Sequence, residues 1–440
     1  MLERSRLPVL DRLVGNRLGW EARLQRPQLW NRNNSNKGSK AVKILVVGGA
    51  GAMASGTVRD LASPLHTRVS EIVIADQSLE RCEALARQIG DPRLRAVALD
   101  VRDRDQLATL LRQADFCINA VPTLLGHQMA IFEACLTARK PYVDYGGLGV
   151  LTVEQKKRHA AWQQAGVAAV LGLGADPGIS NMLCKAVAER LDRIERINLY
   201  WAAENLAPES PVLVPPYSLR TVLAEYANPS QQFLDGKLTA MPPQSGQETL
   251  LLPPPWGRTA FMHTQHSEPL TVPFAEGIRD KGIREFTWKL RLPAREHEAW
   301  VALCKAGFGD FEDALEIGGA AIKPADFLDA LIKRNIARNG RLIPEPQIHE
   351  LHLAIGEGAR NGKPATLNCA VIGSPHPAHA GYSDAGTSMG LSIGVKLMLE
   401  TPVKPGVWGP EEYFPVAAFM EELRKRHFTV AEDIAVERVA

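Results

Sequence analysis

The stretch Lys43-Ile-Leu-Val-Val-Gly-Gly-Ala-Gly-Ala-Met-Ala54 joins an apolar run to a glycine-rich turn and then to a segment with helical spacing. A short apolar run rich in β-branched residues is typical of a strand that is buried on both faces of a parallel sheet. Glycine permits a tight turn after the strand and lets backbone N–H groups reach a phosphate at the N-terminus of the next helix. The stretch therefore predicts the pyrophosphate-binding turn of a dinucleotide-binding fold.

Further apolar runs follow this first strand, separated by segments with helical periodicity. They are Ile72–Ala75, Leu94–Leu99, Phe116–Ala120, Tyr142–Val143 and Val167–Leu171. Strands that alternate with helices predict an α/β fold, a doubly wound parallel-sheet Rossmann domain. After Pro177 the pattern becomes a mixture of helical and extended segments, which predicts an α+β domain with an open, mostly antiparallel sheet.

The chain is expected to divide into four parts. These are a basic, flexible extension at 1–40, a dinucleotide-binding domain at 41–180, an α+β substrate domain at 181–375 and a C-terminal segment at 376–440. Residues 1–40 hold nine Lys and Arg against three acidic residues, so the total charge of +2 leaves −4 for the body. An acidic body argues against nucleic-acid binding and suits a small cationic or zwitterionic ligand.

Cysteine usage and hydropathy point to the compartment. Six cysteines are scattered along the chain without a C-x-x-C pair, which favours reduced, buried thiols. No apolar run approaches the roughly 18 residues of a membrane span. We expect a cytoplasmic protein that does not enter a membrane.

Residues at the carboxyl ends of the predicted strands are the candidates for cofactor binding. Asp76 ends the second strand, 25 residues after Gly51, where a carboxylate accepts hydrogen bonds from ribose hydroxyls and favours NAD over NADP. A plain helix cap is the alternative for Asp76, and the nearby Arg81 keeps NADP possible. The full set of predicted cofactor residues is Gly48, Gly49, Gly51, Ala52, Met53, Asp76, Asp100, Asn119, Ala120, Val121 and Pro122.

Other polar residues are candidates for the chemistry. His266 titrates near neutrality and Asp144 follows the fifth strand, so these two are the predicted catalytic groups. Arg220 suits a substrate carboxylate, and Glu225 or Glu248 suits an ammonium group. The predicted substrate residues are Tyr145, Asp176, Arg220, Thr221, Glu225 and Glu248.

A metal site is not expected, although the chain contains two H-x-x-H pairs. They are His263/His266 and His376/His379, and neither has a third Cys or His at zinc spacing.

The order of these motifs resembles the saccharopine dehydrogenase-like family. The resemblance rests on the glycine turn, Asn119-Ala-Val-Pro, Tyr142-Val-Asp, Gly172-Leu-Gly-Ala-Asp-Pro-Gly, His266-Ser-Glu-Pro, Asp384-Ala-Gly-Thr and Pro410-Glu-Glu, and it covers about residues 42–430. It implies an NAD(P)-linked enzyme that interconverts an amine and an imine on an amino acid such as lysine or saccharopine, or on a polyamine. It also implies that the α+β domain is an inserted substrate and dimerisation domain, that the C-terminal segment 376–440 returns to the Rossmann domain, and that the protein is a homodimer.

Two other functions remain compatible with the residues. A catalytically silent NAD-binding sensor or scaffold keeps the glycine turn and Asp76 but leaves His266 and Arg220 idle. A C–O oxidoreductase uses the same cofactor on a hydroxy acid.

Overall fold

The computed structural model describes residues 41–147 and 149–439, so the basic segment 1–40 lies outside the described residues. The first sheet is parallel and has seven strands in the order β17-β6-β5-β4-β1-β2-β3. These strands are β1 Val42–Val47, β2 Val69–Asp76, β3 Leu94–Ala98, β4 Phe116–Asn119, β5 Tyr142–Asp144, β6 Ala168–Val170 and β17 Gly406–Trp408.

Both faces of this sheet are covered, which explains why β1 is a continuous apolar run. Ile44 and Val46 enter one buried cluster, whereas Leu45 and Val47 enter another on the opposite face. The helices that connect the strands are α1 Ala52–Leu61, α2 Leu79–Ile89, α3 Arg104–Gln113, α4 Gln128–Thr137, α5 Gly149–Lys156 and α6 His159–Ala165.

The second sheet is mixed and runs β18-β16-β15-β7-β12-β11-β10-β19, with the β8–β9 hairpin attached to β12. Only β7 and β12 pair in parallel among the described strands of this sheet. The strands are β7 Arg193–Asn205, β8 Ser230–Leu234, β9 Lys237–Met241, β10 Glu248–Leu251, β11 Arg258–His263, β12 Glu285–Arg291, β15 Ile348–Arg360, β16 Lys363–Gly373, β18 Thr429–Glu432 and β19 Glu437–Val439. A separate hairpin is formed by β13 Leu315–Ile317 and β14 Ala320–Ile322.

Helices of very different length accompany the second sheet and the C-terminal segment. They are α7 Ile179–Arg190, α8 Leu219–Ala227, α9 Glu268–Thr271, α10 Ala294–Lys305, α11 Pro324–Asn339, α12 Ala385–Glu400, α13 Pro410–Tyr413 and α14 Val416–Lys425. The predicted fold class, a Rossmann domain with an α+β domain, is therefore confirmed. The C-terminal segment supplies β17 to the first sheet and β18 and β19 to the second, so it contributes to both.

Glycines let α12 approach its neighbours closely. A Cβ at Gly390 would lie 2.2 Å from the carbonyl oxygen of Gly174, and a Cβ at Gly56 would lie 2.3 Å from Ser388 Oγ. Ser388 Oγ donates a hydrogen bond to the carbonyl oxygen of Met53 at 2.9 Å. Helix α12 therefore rests on the loop 172–178 and on α1 at the same time.

A buried ionic cluster joins the end of α14 to α1. The Arg426 guanidinium lies 2.9 Å from Asp60 Oδ2 and 2.8 Å from Glu422 Oε2, and His66 Nε2 lies 3.1 Å from Asp60. Burial by itself raises the pKa of Asp60, but His66 and Arg426 hold it at about 2. The Asp60 carboxylate therefore has partners on several sides, as a buried charge requires.

Among the described residues, none of the helices combines the length and the hydropathy required to cross a lipid bilayer.

Gly390→Ala should destabilise the fold because the new methyl group meets backbone atoms of Gly174, which cannot move like the end of a side chain. Overpacking of this kind costs about 1–3 kcal/mol. Urea unfolding measures the loss. The matched control is Gly340→Ala, where no heavy atom lies within 4 Å of the added carbon. Equal stability of the two variants would show that close approach does not hold α12 in place.

Candidate active site

One cavity of about 2340 Å³ begins at the glycine turn and continues into the α+β domain. Most of the side chains that the sequence singled out line it. These are Gly48, Gly51, Ala52, Met53, Asp76, Asn119, Ala120, Val121, Pro122, Asp144, Tyr145, Asp176, Arg220, Thr221, Glu225 and His266.

The glycine turn has the shape that a pyrophosphate requires. Gly48 has φ +77°, and a Cβ there would lie 2.9 Å from backbone atoms of Ala120, so only glycine fits. Gly51 precedes α1, whose first turn leaves backbone N–H groups unpaired beside the cavity. Gly49 lies beneath the turn, where a Cβ would meet the carbonyl oxygen of Val46 at 2.9 Å, so the turn also needs glycine there for packing, and the contact of Gly49 with a cofactor stays a prediction.

Asp76 faces the cavity from the end of β2, as a ribose-binding carboxylate must. Its Oδ2 accepts a hydrogen bond from the N–H of Ala50 at 3.3 Å, which ties it to the turn. Arg81 also lines the cavity and donates to the carbonyl oxygen of Ala50 at 2.6 Å. The residues at this end of the cleft therefore fit the diphosphate and ribose of a dinucleotide.

Asp100 does not take the place predicted for it. Its carboxylate is exposed and pairs with Arg102 at 2.6 Å, which lowers its pKa to about 2. The neighbouring Leu99 and Val101 line the cavity instead. The Asp100 side chain therefore turns to Arg102 and does not line the cavity, and its contact with an adenine stays a prediction.

Asp144 is buried and fully engaged in hydrogen bonds. Its Oδ1 accepts from the backbone N–H groups of Gly146 and Gly172 at 3.0 and 2.9 Å. Its Oδ2 accepts from three buried side chains, those of Tyr142, Gln128 and Gln155. Asp144 therefore links the ends of two strands. Both of its oxygens already accept hydrogen bonds, so no free oxygen is left for the proton transfer that was predicted for Asp144.

His266 forms a buried pair with a neighbour whose role the sequence had not suggested. Its Nδ1 contacts Glu268 Oε2, and Glu268, which has no solvent exposure, also accepts from Ser180 Oγ at 2.7 Å. The imidazole stacks on Trp288 with ring centroids 4.0 Å apart. Burial by itself lowers the pKa of His266, but Glu268 and, more weakly, Glu225 raise it to about 9.

Glu225 lies in the same part of the cavity and has an unusual pKa. Burial raises the pKa of its carboxyl group to about 7, although His266 and a hydrogen bond from Tyr217 act in the opposite direction. The Tyr217 hydroxyl donates this hydrogen bond to Glu225 Oε2. His266 and Glu225 thus provide two buried groups that change charge between neutral and mildly alkaline pH.

A second buried histidine organises further carboxylates. His352 Nδ1 lies 2.7 Å from Asp176 Oδ2, and its Nε2 lies 3.8 Å from Glu350 Oε2. Burial lowers the pKa of His352, but these two carboxylates raise it to about 10, so it carries a charge at neutral pH. Asp384, which caps α12, also lines the cavity, and burial together with Glu350 raises its pKa to about 6.

Of the remaining predicted substrate residues, two line the interior of the cavity and one lies at its rim. Tyr145 lines the cavity with its hydroxyl 2.6 Å from Thr57 Oγ1, and Thr221 lines it from α8. Arg220 lies at the rim, where Asp326 pairs with it at 2.8 Å.

Glu248 lies outside the cavity and is a correction to the sequence analysis. Its carboxylate contacts Lys289, accepts from the Tyr200 hydroxyl at 2.9 Å and pairs with Arg438 at 2.9 Å. This set of partners leaves no room for a substrate ammonium group on Glu248.

The sequence contained a pattern that could have identified the residues that the sequence analysis missed. Glu350 and His352 are two positions apart in the apolar strand β15, so both face the same side of the sheet. Polar residues at alternate positions of an otherwise buried strand indicate a common polar partner or ligand. Glu268 follows His266 by two residues, and only the start of α9 brings the two side chains together.

Comparison with known proteins agrees with this arrangement. The model of the saccharopine dehydrogenase NADP-binding domain matches residues 44–170, and that of the saccharopine dehydrogenase C-terminal domain matches residues 174–428.

Similar proteins are found both among curated protein sequences and among solved structures. Carboxyaminopropylagmatine dehydrogenase from Synechocystis sp. is 26% identical over 166 residues, which are 36% of this chain and only 40% of that relative. Carboxynorspermidine synthase from Vibrio alginolyticus is 24% identical over 329 residues, which cover 69% of this chain and 73% of the relative. Apo saccharopine dehydrogenase (L-Glu forming) from Saccharomyces cerevisiae has a TM-score of 0.67 at 16% identity, over 91% of this chain and 100% of the other, and supports the fold alone.

These matches confirm the predicted family, and with it the predicted nicotinamide dinucleotide, while the homodimer stays a prediction. The domain models account for nearly all of the described residues, in the order that the motifs indicated. The chain therefore belongs to the saccharopine dehydrogenase family, with that family's NADP-binding domain followed by its C-terminal domain.

Proposed function

We propose that this chain is an NAD(P)-linked oxidoreductase that interconverts an amine and an imine at a C–N bond of an amino acid or a polyamine. The observation that carries the proposal is that His266, held by Glu268, lines the same cavity as the glycine turn. One cavity thereby offers a dinucleotide site and an acid–base group. The names of the two curated relatives, a dehydrogenase and a synthase of carboxylated amines, support the same class of substrate.

Residues at the first sheet are proposed to hold the dinucleotide. The N-terminus of α1, with Gly48 and Gly51, binds the pyrophosphate, and Asp76 binds the ribose hydroxyls. The loop 119–122 lies at the position where the strand order reverses, and there it lines the nicotinamide side. When bound, the cofactor accepts or supplies the hydride.

His266 is proposed to move the proton that accompanies the hydride. Its Nδ1 is engaged by Glu268, which leaves Nε2 for the substrate nitrogen. Below its pKa of about 9 the imidazolium donates a proton to the nitrogen in the reductive direction. At higher pH the neutral imidazole accepts the proton in the oxidative direction, so alkaline conditions favour amine oxidation.

The ionisation of His266 should be visible in the fluorescence of Trp288, because a protonated imidazole stacked on an indole quenches its emission. Emission is expected to rise with a midpoint near pH 9. Subtracting the spectrum of Trp288→Phe isolates this signal from the other tryptophans. In Glu268→Gln the midpoint should move to lower pH, since burial then acts without the opposing carboxylate. An unchanged midpoint in Glu268→Gln would contradict the pairing.

His266→Gln should lower kcat by about 10²–10⁴-fold while the affinity for NADH changes little, because only proton transfer is lost. Wild-type enzyme is first screened at alkaline pH for NADH or NADPH formation with lysine, saccharopine, ornithine and polyamines, and with hydroxy acids as a comparison. Binding of cofactor without turnover of any amine would favour a silent sensor. Turnover restricted to hydroxy acids would favour C–O chemistry. Full activity of His266→Gln would place the acid elsewhere.

Asp76→Ser should weaken the binding of NAD by about 10-fold or more and affect NADP much less, because the carboxylate bonds ribose hydroxyls and repels a 2′-phosphate. Titration of cofactor binding by calorimetry gives both affinities. Asp100→Asn is the matched control, since that carboxylate pairs with Arg102 outside the cavity. Equal losses for the two cofactors in Asp76→Ser would reduce Asp76 to a cap of the turn.

A further inference from the structure

Ser180 donates a hydrogen bond to the carboxylate that holds His266. Its Oγ lies 2.7 Å from Glu268 Oε1, whereas His266 Nδ1 contacts the other oxygen, Oε2. Among the described residues Ser180 is the one side-chain donor to Oε1, and Ser267 lies 3.5 Å from Oε2, at the limit of a hydrogen bond. Ser180 and Glu268 have no solvent exposure, so bulk water cannot supply the donor in its place.

The Ser180 hydroxyl has one proton, and the geometry decides which acceptor receives it. Asn181 Oδ1 lies 3.4 Å from Ser180 Oγ, but Glu268 Oε1 is closer and carries a charge. A hydrogen bond to an ionised carboxylate is roughly twice as strong as one between neutral groups. Glu268 therefore receives the proton. Burial raises the pKa of Glu268, but His266 and this hydrogen bond together hold it below its usual value.

A second set of contacts fixes the place of Ser180. Asn181, the next residue of α7, accepts a hydrogen bond from the N–H of Gly178 at 2.9 Å and donates one to Glu411 Oε2 at 2.8 Å. Asn181 and Glu411 are both buried. The start of α7 is therefore anchored to α13, and Ser180 Oγ has a defined position beside Glu268.

The orientation of the Glu268 carboxylate decides how His266 faces the cavity. The terminal torsion of a glutamate side chain has a broad, roughly two-fold energy profile, so its partners set the plane of the carboxylate. A donor on Oε1 sets this plane and keeps Oε2 on His266 Nδ1. An imidazole that is held at Nδ1 has a fixed tautomer and presents Nε2 in one direction.

We propose that Ser180 is a positioning residue for the pair of Glu268 and His266, because its hydroxyl holds the carboxylate in the plane that aims His266 Nε2 at the cavity. The inference rests on the proposed function, which makes His266 the group that moves the proton. Ser180 does not line the cavity, so it acts through Glu268 and exchanges no proton with the substrate. Two motifs of the family resemblance, His266-Ser-Glu-Pro and Pro410-Glu-Glu, are joined in this way through the start of α7.

Ser180→Ala is expected to lower the midpoint of the Trp288 emission titration by about one pH unit or more, because a hydrogen bond to a charged group contributes about 1.5–3 kcal/mol. Without its donor the Glu268 carboxylate rotates away from the imidazole, and the midpoint moves toward that of Glu268→Gln. The spectrum of Trp288→Phe is subtracted in each background. This measurement needs neither cofactor nor substrate.

The other carboxylates that face His266 are Glu225 and Asp176, and they are the same in every variant, so the shift reports the change at Glu268. The affinity of Ser180→Ala for NADH, measured by calorimetry, should equal that of wild type. With the amine that wild-type enzyme oxidises fastest in the screen above, kcat should fall about 10-fold and KM should change little.

Ser392→Ala is the matched control. Ser392 is also a fully buried helical serine that donates to a buried carboxylate, that of Asp60, outside the cavity. Its loss should lower the stability to urea as Ser180→Ala does, and should leave the midpoint near pH 9. Ser180→Cys keeps the size of the side chain with a weaker donor, so it should give a smaller shift in the same direction. It decides the question where Ser180→Ala does not fold.

The combination of Ser180→Ala with Glu268→Gln should shift the midpoint no further than Glu268→Gln alone, since the hydroxyl acts only through the carboxylate. A midpoint that stays near pH 9 or rises in Ser180→Ala would overturn the proposal. A further shift in the double variant as large as that of Ser180→Ala alone would do the same. A lowered midpoint without turnover of any amine would instead sink the proposed reaction and leave the positioning of His266 standing.

Discussion

The close approach of α12 to the loop 172–178 is the constraint on which the whole cleft depends. Gly390 lets the helix backbone meet the backbone of Gly174, and Ser388 on the same helix bonds to the carbonyl oxygen of Met53. Contacts at this separation leave little room for sliding, because protein interiors are packed as densely as organic crystals. One helix of the C-terminal segment therefore contacts both the start of the dinucleotide-binding helix and the loop that carries Asp176.

Partners around each carboxylate decide whether it keeps its charge when it is buried in the cleft. A buried carboxylate normally takes up a proton, and the raised pKa values of Glu225 and Asp384 show this tendency. Glu268 behaves in the opposite way, because His266 and Ser180 together hold its pKa below the ordinary value. Glu268 and His266 therefore stabilise each other's charged forms.

The sequence analysis predicted a feature correctly where the residues that specify it are adjacent in the chain. The glycine turn and the strand runs are each specified by adjacent residues, and the structure has them where the sequence analysis placed them. Glu248 was misread because the cations that neutralise it, Lys289 and Arg438, come from distant strands. The pairing of His352 with Asp176 was invisible for the same reason, since it needs the contact between β15 and the loop after β6. Composition indicated an acidic body, but only tertiary contacts show which carboxylates lie together.

Three carboxylates at or beside the cleft have different hydrogen-bonding partners and therefore different properties. Asp144 accepts from backbone, amide and hydroxyl groups only, so it is a fixed anion that holds strand ends together. Glu268 has an imidazole as its main partner, and the pair gains a proton that can be exchanged near pH 9. Asp176 has one oxygen 2.7 Å from His352 Nδ1 and accepts no hydrogen bond from a described residue on its Oδ1. Residue type alone therefore does not assign a role in this cleft; the identity and number of donors around each oxygen do.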